Sequence, residues 1–257
     1  MSVTRRIVLA TLGLSASPAL ADHHGMTMHD GGAGSSLATG VSLLAASFGT
    51  SFYEGDYEGV VPAATWSSEH WAAGANVPMY RLQENGRELY GLGDVVVHGQ
   101  GTMIDAGNVH AGGMLAVSLP TGNGQQGFGM GHTMAMPALW GTWSLARVTL
   151  SGSAGYSRAV VDEMSHHDHG PWPLVEPMNM SEISWSAGGT VALSSSTHAG
   201  ARLSGGVPVG APGTDRIVGA VRFGWGTGRV DSAAEIQAGL AGDPFTVRGV
   251  LETALHF

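Results

Sequence analysis

The chain has 257 residues, of which only 12% are charged and 41 are Gly, and it contains no Cys. All 11 basic residues are Arg. Two of them stand in the first six residues, so the remaining 9 face 20 Asp and Glu, a formal charge of −11. The acidic balance argues against a nucleic-acid partner and favours cations nearby. The absence of Cys excludes a disulfide framework. A charged fraction about half the usual share is too low for an ordinary soluble surface.

In chain order, residues 1–21 read as a secretory signal. Arg5 and Arg6 form a basic start, Ile7 to Leu14 a short apolar run, and Ala19-Leu20-Ala21 a small-x-small cleavage site. The apolar run is too short to cross a bilayer as a helix. The mature chain is expected to begin near Asp22, in the outer envelope of a Gram-negative bacterium.

Residues 22–35 form a flexible His/Met-rich segment expected to lie in the periplasm. His23, His24, Met26, Met28 and His29 fall within nine residues, followed by a Gly-rich stretch. Soft thioethers select Cu(I), while imidazoles serve Cu(II), Zn(II) or Ni(II). The spacing is not that of a closed zinc site. The alternative is that His and Met are merely tolerated in a solvated segment.

From residue 36 onward the pattern is one of short strands. Apolar and polar residues alternate in Asp94–Gln100, Glu182–Leu193, Arg216–Trp225 and Phe245–Phe257, and strand side chains alternate faces. In the last of these, Phe245, Val247, Leu251, Leu255 and Phe257 share one face, and Arg248, Glu252 and His256 the other. Further strands are expected near 36–47, 57–67, 70–81, 109–120, 133–143, 146–158, 197–206 and 229–240. That makes twelve, the even number of a bacterial single-chain barrel.

A soluble sandwich would bury the apolar face, whereas a barrel points it at lipid. Trp71, Tyr156, Trp185, Phe223, Trp225 and Phe257 suit an aromatic girdle. The expected fold is therefore all-β, a transmembrane antiparallel up-and-down barrel spanning 36–257. Outer loops are expected near 48–56, 82–88, 121–132, 159–180, 207–214 and 241–244. Short inner turns are expected near 67–69, 141–142, 194–196 and 227–228, with a longer turn near 101–108. The terminal Phe257 resembles the mark that barrel-assembly machinery reads, so that machinery and outer-membrane lipids are expected partners.

Two sets of residues could carry function. The long loop holds Met164, His166, His167, Asp168 and His169, a second candidate collector of copper or zinc; no cofactor is otherwise required. Strand parity gives a lumen lined by Asp94, His98, Arg147, Glu182, His198, Arg202, Arg222, Arg229, Asp231, Glu235, Arg248 and Glu252. These charges either pair across the barrel or form a solute-selecting path. No Gly-x-Ser-x-Gly and no His–Ser pair singled out by spacing supports an enzyme.

The stretches Asn76-Val77-Pro78-Met79-Tyr80-Arg81-Leu82, Gly91-Leu92-Gly93-Asp94-Val95, Val117-Ser118-Leu119-Pro120-Thr121-Gly122 and Gly155-Tyr156-Ser157 occur in this order. The order resembles the outer-membrane transporter family named for the meta-pathway of phenol degradation. The match covers about the middle third of the chain. The resemblance implies a barrel that passes small, often hydrophobic molecules, and its motifs are structural marks without chemistry. Together the residues and the resemblance point to a channel for a small-molecule or metal-ion solute, linked to copper or another transition metal through the His/Met segments. The alternative is a metal-binding surface protein whose barrel serves only as an anchor.

Overall fold

The computed structural model describes residues 35–49, 54–160, 175, 178–210, 213–242 and 245–257. The strands are β1 (Ser36–Gly49), β2 (Glu54–Ser67), β3 (Trp71–Asn76), β4 (Met79–Glu84), β5 (Arg87–Leu92), β6 (Val95–Ala106) and β7 (Val109–Leu119). They continue with β8 (Thr133–Leu145), β9 (Val148–Val160), β10 (Ser181–Ala192), β11 (Thr197–Pro208), β12 (Arg216–Gly226), β13 (Val230–Ala241) and β14 (Phe245–His256). All pairings are antiparallel, and β1 pairs with both β2 and β14. The result is a closed twelve-stranded barrel with two extra strands, β4 and β5. Closure pairs both sides of every strand except β5, which pairs with β4 alone; an open sheet would leave more edge unpaired in lipid.

The two extra strands continue the wall. Against β2 the register runs unbroken from Ala63↔Asn76 in β3 to Val60↔Met79 in β4. The ladder lapses at Val77-Pro78 because Pro78 has no N–H to give, and neither has Pro62, which stands opposite Val77. Val77 N still donates to Pro62 O (3.1 Å). On the other side, Asn76 pairs with Val96 and Met79 with Leu92. Two residues there face three, Gly93, Asp94 and Val95, which is a β-bulge.

Several expected boundaries change. The stretch 70–81 covers β3 and the first half of β4, which continues to Glu84. Residues 82–88 hold no long loop: Asn85 and Gly86, at φ 47° and 76°, make a two-residue hairpin turn, which requires positive φ at both positions. Gly141 and Thr142 lie inside β8, paired with Ala111 and His110. The turn comes later, at Ala146-Arg147, with Ala146 at φ 50°. The turn expected to be long near 101–108 is the short Gly107-Asn108. All turns at the Ser36 end are thus short and the long connections lie at the other end, as in outer-membrane barrels.

The outer surface carries the apolar set, including Leu43, Val60, Leu139, Val221, Ile236 and Leu251. All six expected girdle aromatics stand on it. Phe245 departs from its expected lipid-facing place. Ser47 pairs with Val247 but Phe48 pairs with Phe245, so Thr246 is an extra residue. The bulge turns Phe245 inward, where it is buried beneath the Arg248 guanidinium, 4.3 Å from its ring centre.

Candidate functional site in the barrel lumen

The inner face has two levels. Near the short turns, inward residues such as Gly40, Thr65, Thr142, Ser151, Thr190, Gly200 and Ala254 remain partly open to water. This half is a vestibule. Toward the long loops, inward residues are closed off: Tyr57, Leu82, Val96, Met134 and Glu182 are 0% exposed. A water-filled passage would leave such side chains accessible, so the outer half is filled in this conformation.

Among the described residues, two loops do the filling. The first, residues 120–132, contains a single 3-10 turn at Gly124–Gln126 and carries Phe128 into the lumen, where it is 1% exposed. The second contributes Val175 and Met178, also buried. Val175 N donates to Gly127 O (3.4 Å), so the loops touch. Phe128 and Val175 complete an apolar cluster with Leu44, Phe48, Tyr57, Tyr80, Leu82, Val218, Phe245 and Val250.

Asp94 anchors the first loop. The bulge beside β6 aims its carboxylate inward. Its Oδ1 accepts from Gly122 N (2.9 Å) and its Oδ2 from Met130 N (2.8 Å). Charge-assisted bonds of this kind are about twice as strong as neutral ones. The contact depends on Gly129, where a Cβ would stand 2.3 Å from Asp94 Oδ1. Thr121 Oγ1 accepts from Val95 N (2.8 Å) and donates to Gly93 O (2.9 Å). The Gly91–Asp94 and Leu119–Gly122 motifs, distant in sequence, therefore form one hydrogen-bonded unit at the base of the loop.

Glu182 anchors the other outer connections. Its Oε2 accepts from Asn179 Nδ2 (2.8 Å) and its Oε1 from Arg216 Nη2 (2.8 Å). Asn179 in turn donates to Thr214 O (3.1 Å) and accepts from Thr214 N (3.0 Å). One buried carboxylate thus ties the loop before β10 to the loop before β12.

A polar ladder crosses the opposite wall on β11–β14. Arg202 donates to Glu235 (3.0 Å), and Arg222 contacts Glu235 (3.5 Å) and Glu252. Arg248 Nε donates to Gln237 Oε1 (2.7 Å) and Nη1 to Tyr57 OH (3.4 Å). Asp231 lies 2.8 Å from His256, nearer the vestibule. Burying these charges is tolerable because each has a partner.

Ten of the twelve expected lumen residues therefore face inward or, like Asp94, into the loop plug: Asp94, His98, Glu182, His198, Arg202, Arg222, Asp231, Glu235, Arg248 and Glu252. Arg147 and Arg229 do not. They sit exposed on the turns before β8's partner β9 and before β13, where the two-residue alternation ends. The sequence reading missed Arg216, Gln237, Tyr57 and Asn179 as members of these networks. Arg216 carried a signal, since parity places it on the same face as Arg222.

A third wall, on β6–β9, is apolar and rich in sulfur. Met114, Met134, Met136 and Met178 cluster with Val96, Ala116, Ala138, Trp140 and Ala159, and Met130 and Met180 pack against them. The expected metal ligands His23, His24, Met26, Met28, His29, Met164, His166, His167, Asp168 and His169 lie outside the described residues. Among the described residues no group of three or more His, Cys, Asp or Glu could hold a metal ion.

No protein-family model matches the sequence, and no curated protein does. Solved structures match in fold. An outer-membrane channel from Pseudomonas putida F1 aligns with a TM-score of 0.68 at 12% identity, over 88% of this chain and 96% of that one. The KdgM porin in complex with disordered oligogalacturonate aligns at 0.58 and 6% identity, over 86% and 99%. The translocator domain of the autotransporter NalP from Neisseria meningitidis aligns at 0.55 and 13%, over 88% and 89%. At these identities the likeness is one of architecture: this chain has the closed barrel on which outer-membrane channels and translocators are built.

Proposed function

We propose that the chain is a non-enzymatic outer-membrane channel for small solutes, with an open periplasmic vestibule and an outer half closed by two folded-in loops. The observation that carries this reading is how the closure is made. The plug consists of loop segments held by Asp94 and Glu182, and such a plug can withdraw without unfolding the wall. The matching barrels named as channels and porins support the same reading, as does the apolar outer surface.

The lining narrows the solute class. Tyr57, Leu82, Phe128 and the methionine wall favour small apolar or amphipathic molecules, in keeping with the resemblance to the phenol meta-pathway transporters. In this reading residues 1–21 direct export and are removed, and the assembly machinery inserts the barrel. The His/Met segments at 22–30 and 162–169 collect copper or zinc on the two sides of the membrane.

A second reading is favoured by the filled outer half: a metal-binding surface protein anchored by a sealed barrel. Solute flux into proteoliposomes separates the two. Flux that depends on solute size supports the channel, and a barrel as tight as empty liposomes supports the anchor.

A further inference from the structure

Two buried polar side chains of the inner face stand beside Gly74 of β3. Asn76 is 2% exposed and His98 8%, yet among the described residues neither Asn76 Oδ1 nor His98 Nδ1 has a hydrogen-bond partner. Buried polar atoms are nearly always paired, because one left alone keeps its full desolvation cost. Both stand where the filled half of the barrel gives way to the vestibule.

The register gathers them around one small residue. His98 pairs with Gly74, and Val96 with Asn76, across β3 and β6. Gly74 in turn pairs with Thr65 across β2 and β3. A Cβ on Gly74 would stand 2.5 Å from His98 Cε1 and 2.7 Å from Thr65 Oγ1, so the imidazole and the hydroxyl converge over this glycine from opposite sides. Asn76 is the next inward residue of β3, roughly 7 Å along the strand. It is also the diagonal neighbour of His98, a spacing that polar side chains on one face can share. The wall beside them is low: Ala38, Gly40, Ala63 and Ala72 face inward there and remain partly open to water. His256, beyond Ala38 in the same row, is taken up by Asp231 at 2.8 Å.

We propose that this corner of the vestibule is a binding subsite for a small neutral molecule that carries a hydroxyl group on an apolar body. The inference rests on the reading of the barrel as a solute channel. A hydroxyl both donates and accepts, so one such group can bridge the imidazole, the Asn76 amide and Thr65 Oγ1. It would supply the partners that Asn76 and His98 lack. The alanines and glycines leave room for the apolar body. A carboxylate ligand would lose its water here without gaining a countercharge from His98, Asn76 or Thr65, which is costly. The other role open to these side chains is structural, with water as their partner, and the experiment separates the two.

The test uses the full chain in detergent micelles, with histidine rings labelled with nitrogen-15, titrated with cyclohexanol. The His98 ring signals should shift and saturate at one molecule per chain, while those of His198, on β11 across the barrel, stay in place. Methylcyclohexane, which has a similar body without the hydroxyl, and cyclohexanecarboxylate should leave His98 unmoved. N76L and T65V, close in shape to the wild type, should each weaken cyclohexanol binding at least tenfold. N76L should melt no lower than the wild type, since it removes a polar group that has no bond to lose. Unmoved His98 signals in excess cyclohexanol, an equal response to methylcyclohexane, undiminished binding in both variants, or a clearly lower melting temperature for N76L would each overturn the proposal. Sealed liposomes would remove the channel reading and leave this binding intact, whereas normal flux with an unmoved His98 would remove the subsite alone.

Discussion

Asp94 holds Met130 in place: its Oδ2 accepts the Met130 backbone N–H at 2.8 Å, across 36 residues of chain. The same carboxylate takes the Gly122 N–H, so both ends of the first loop hang on one side chain. Asp94→Ala removes both bonds. At about 1.5–3 kcal/mol each for bonds to a charged group, the loss is enough to free the loop while the wall stays folded. Hydrogen exchange across 122–130 should rise at least tenfold, and single-channel conductance should increase. Unchanged exchange in that segment would show that the anchor is elsewhere.

Glu182 and Arg216 are a buried pair, 2.8 Å apart. Removing one partner strands the other, which costs roughly 3–5 kcal/mol. E182L should therefore lower thermal stability clearly, by heat-dependent gel migration or calorimetry. The E182L/R216L double variant should recover much of the loss, since no buried charge is left alone. A double variant as unstable as the sum of the two single ones would contradict the pairing.

On the outward face of the β4–β5 hairpin, Tyr90 OH and Arg81 Nε each donate to Glu88 Oε1 at 2.6 Å. The tyrosine hydroxyl first, and then the guanidinium, hold the Glu88 carboxyl below its usual range. A lowered folded pKa means that this contribution is complete above the unfolded carboxylate value and is lost as pH falls through the folded one. The group is fully exposed, so the effect is local to the hairpin. The Glu88 carboxyl carbon should titrate below the ordinary carboxylate midpoint, and Y90F should raise that midpoint. An unshifted midpoint in both proteins would remove the network from the account.

Copper titration tests the two His/Met segments separately from the lumen. Deleting 22–30 and 162–169 together should reduce the number of Cu(II) ions bound per chain, measured by equilibrium dialysis. An unchanged stoichiometry would show that imidazole and thioether in these segments are bystanders.

Much of the wall was legible because strand alternation survives wherever one face meets lipid and the other does not. In β10, Ile183 and Trp185 point outward while Glu182, Ser184 and Ser186 point inward, as parity requires. Parity failed at Phe245, where one inserted residue in the ladder reverses the face. It failed at Arg147 and Arg229 because turns have no two-residue period. The Asn85-Gly86 turn was readable in principle, since that dipeptide is a strong hairpin signal, but the polar residues around it suggested a loop. The apolar lumen was hidden for a different reason. Leu44, Tyr57 and Leu82 can face inward only because Phe128 and Val175 fold down to cover them, and no local pattern in the strands reports on a loop that returns from elsewhere.

Paired flux measurements on wild type and Asp94→Ala in proteoliposomes test the central claim, a channel closed by its own loops. The account predicts slow, size-dependent entry of small solutes with the wild type and entry several-fold faster with the variant. Liposomes that stay sealed with both proteins, although the barrel is folded and inserted, would contradict it.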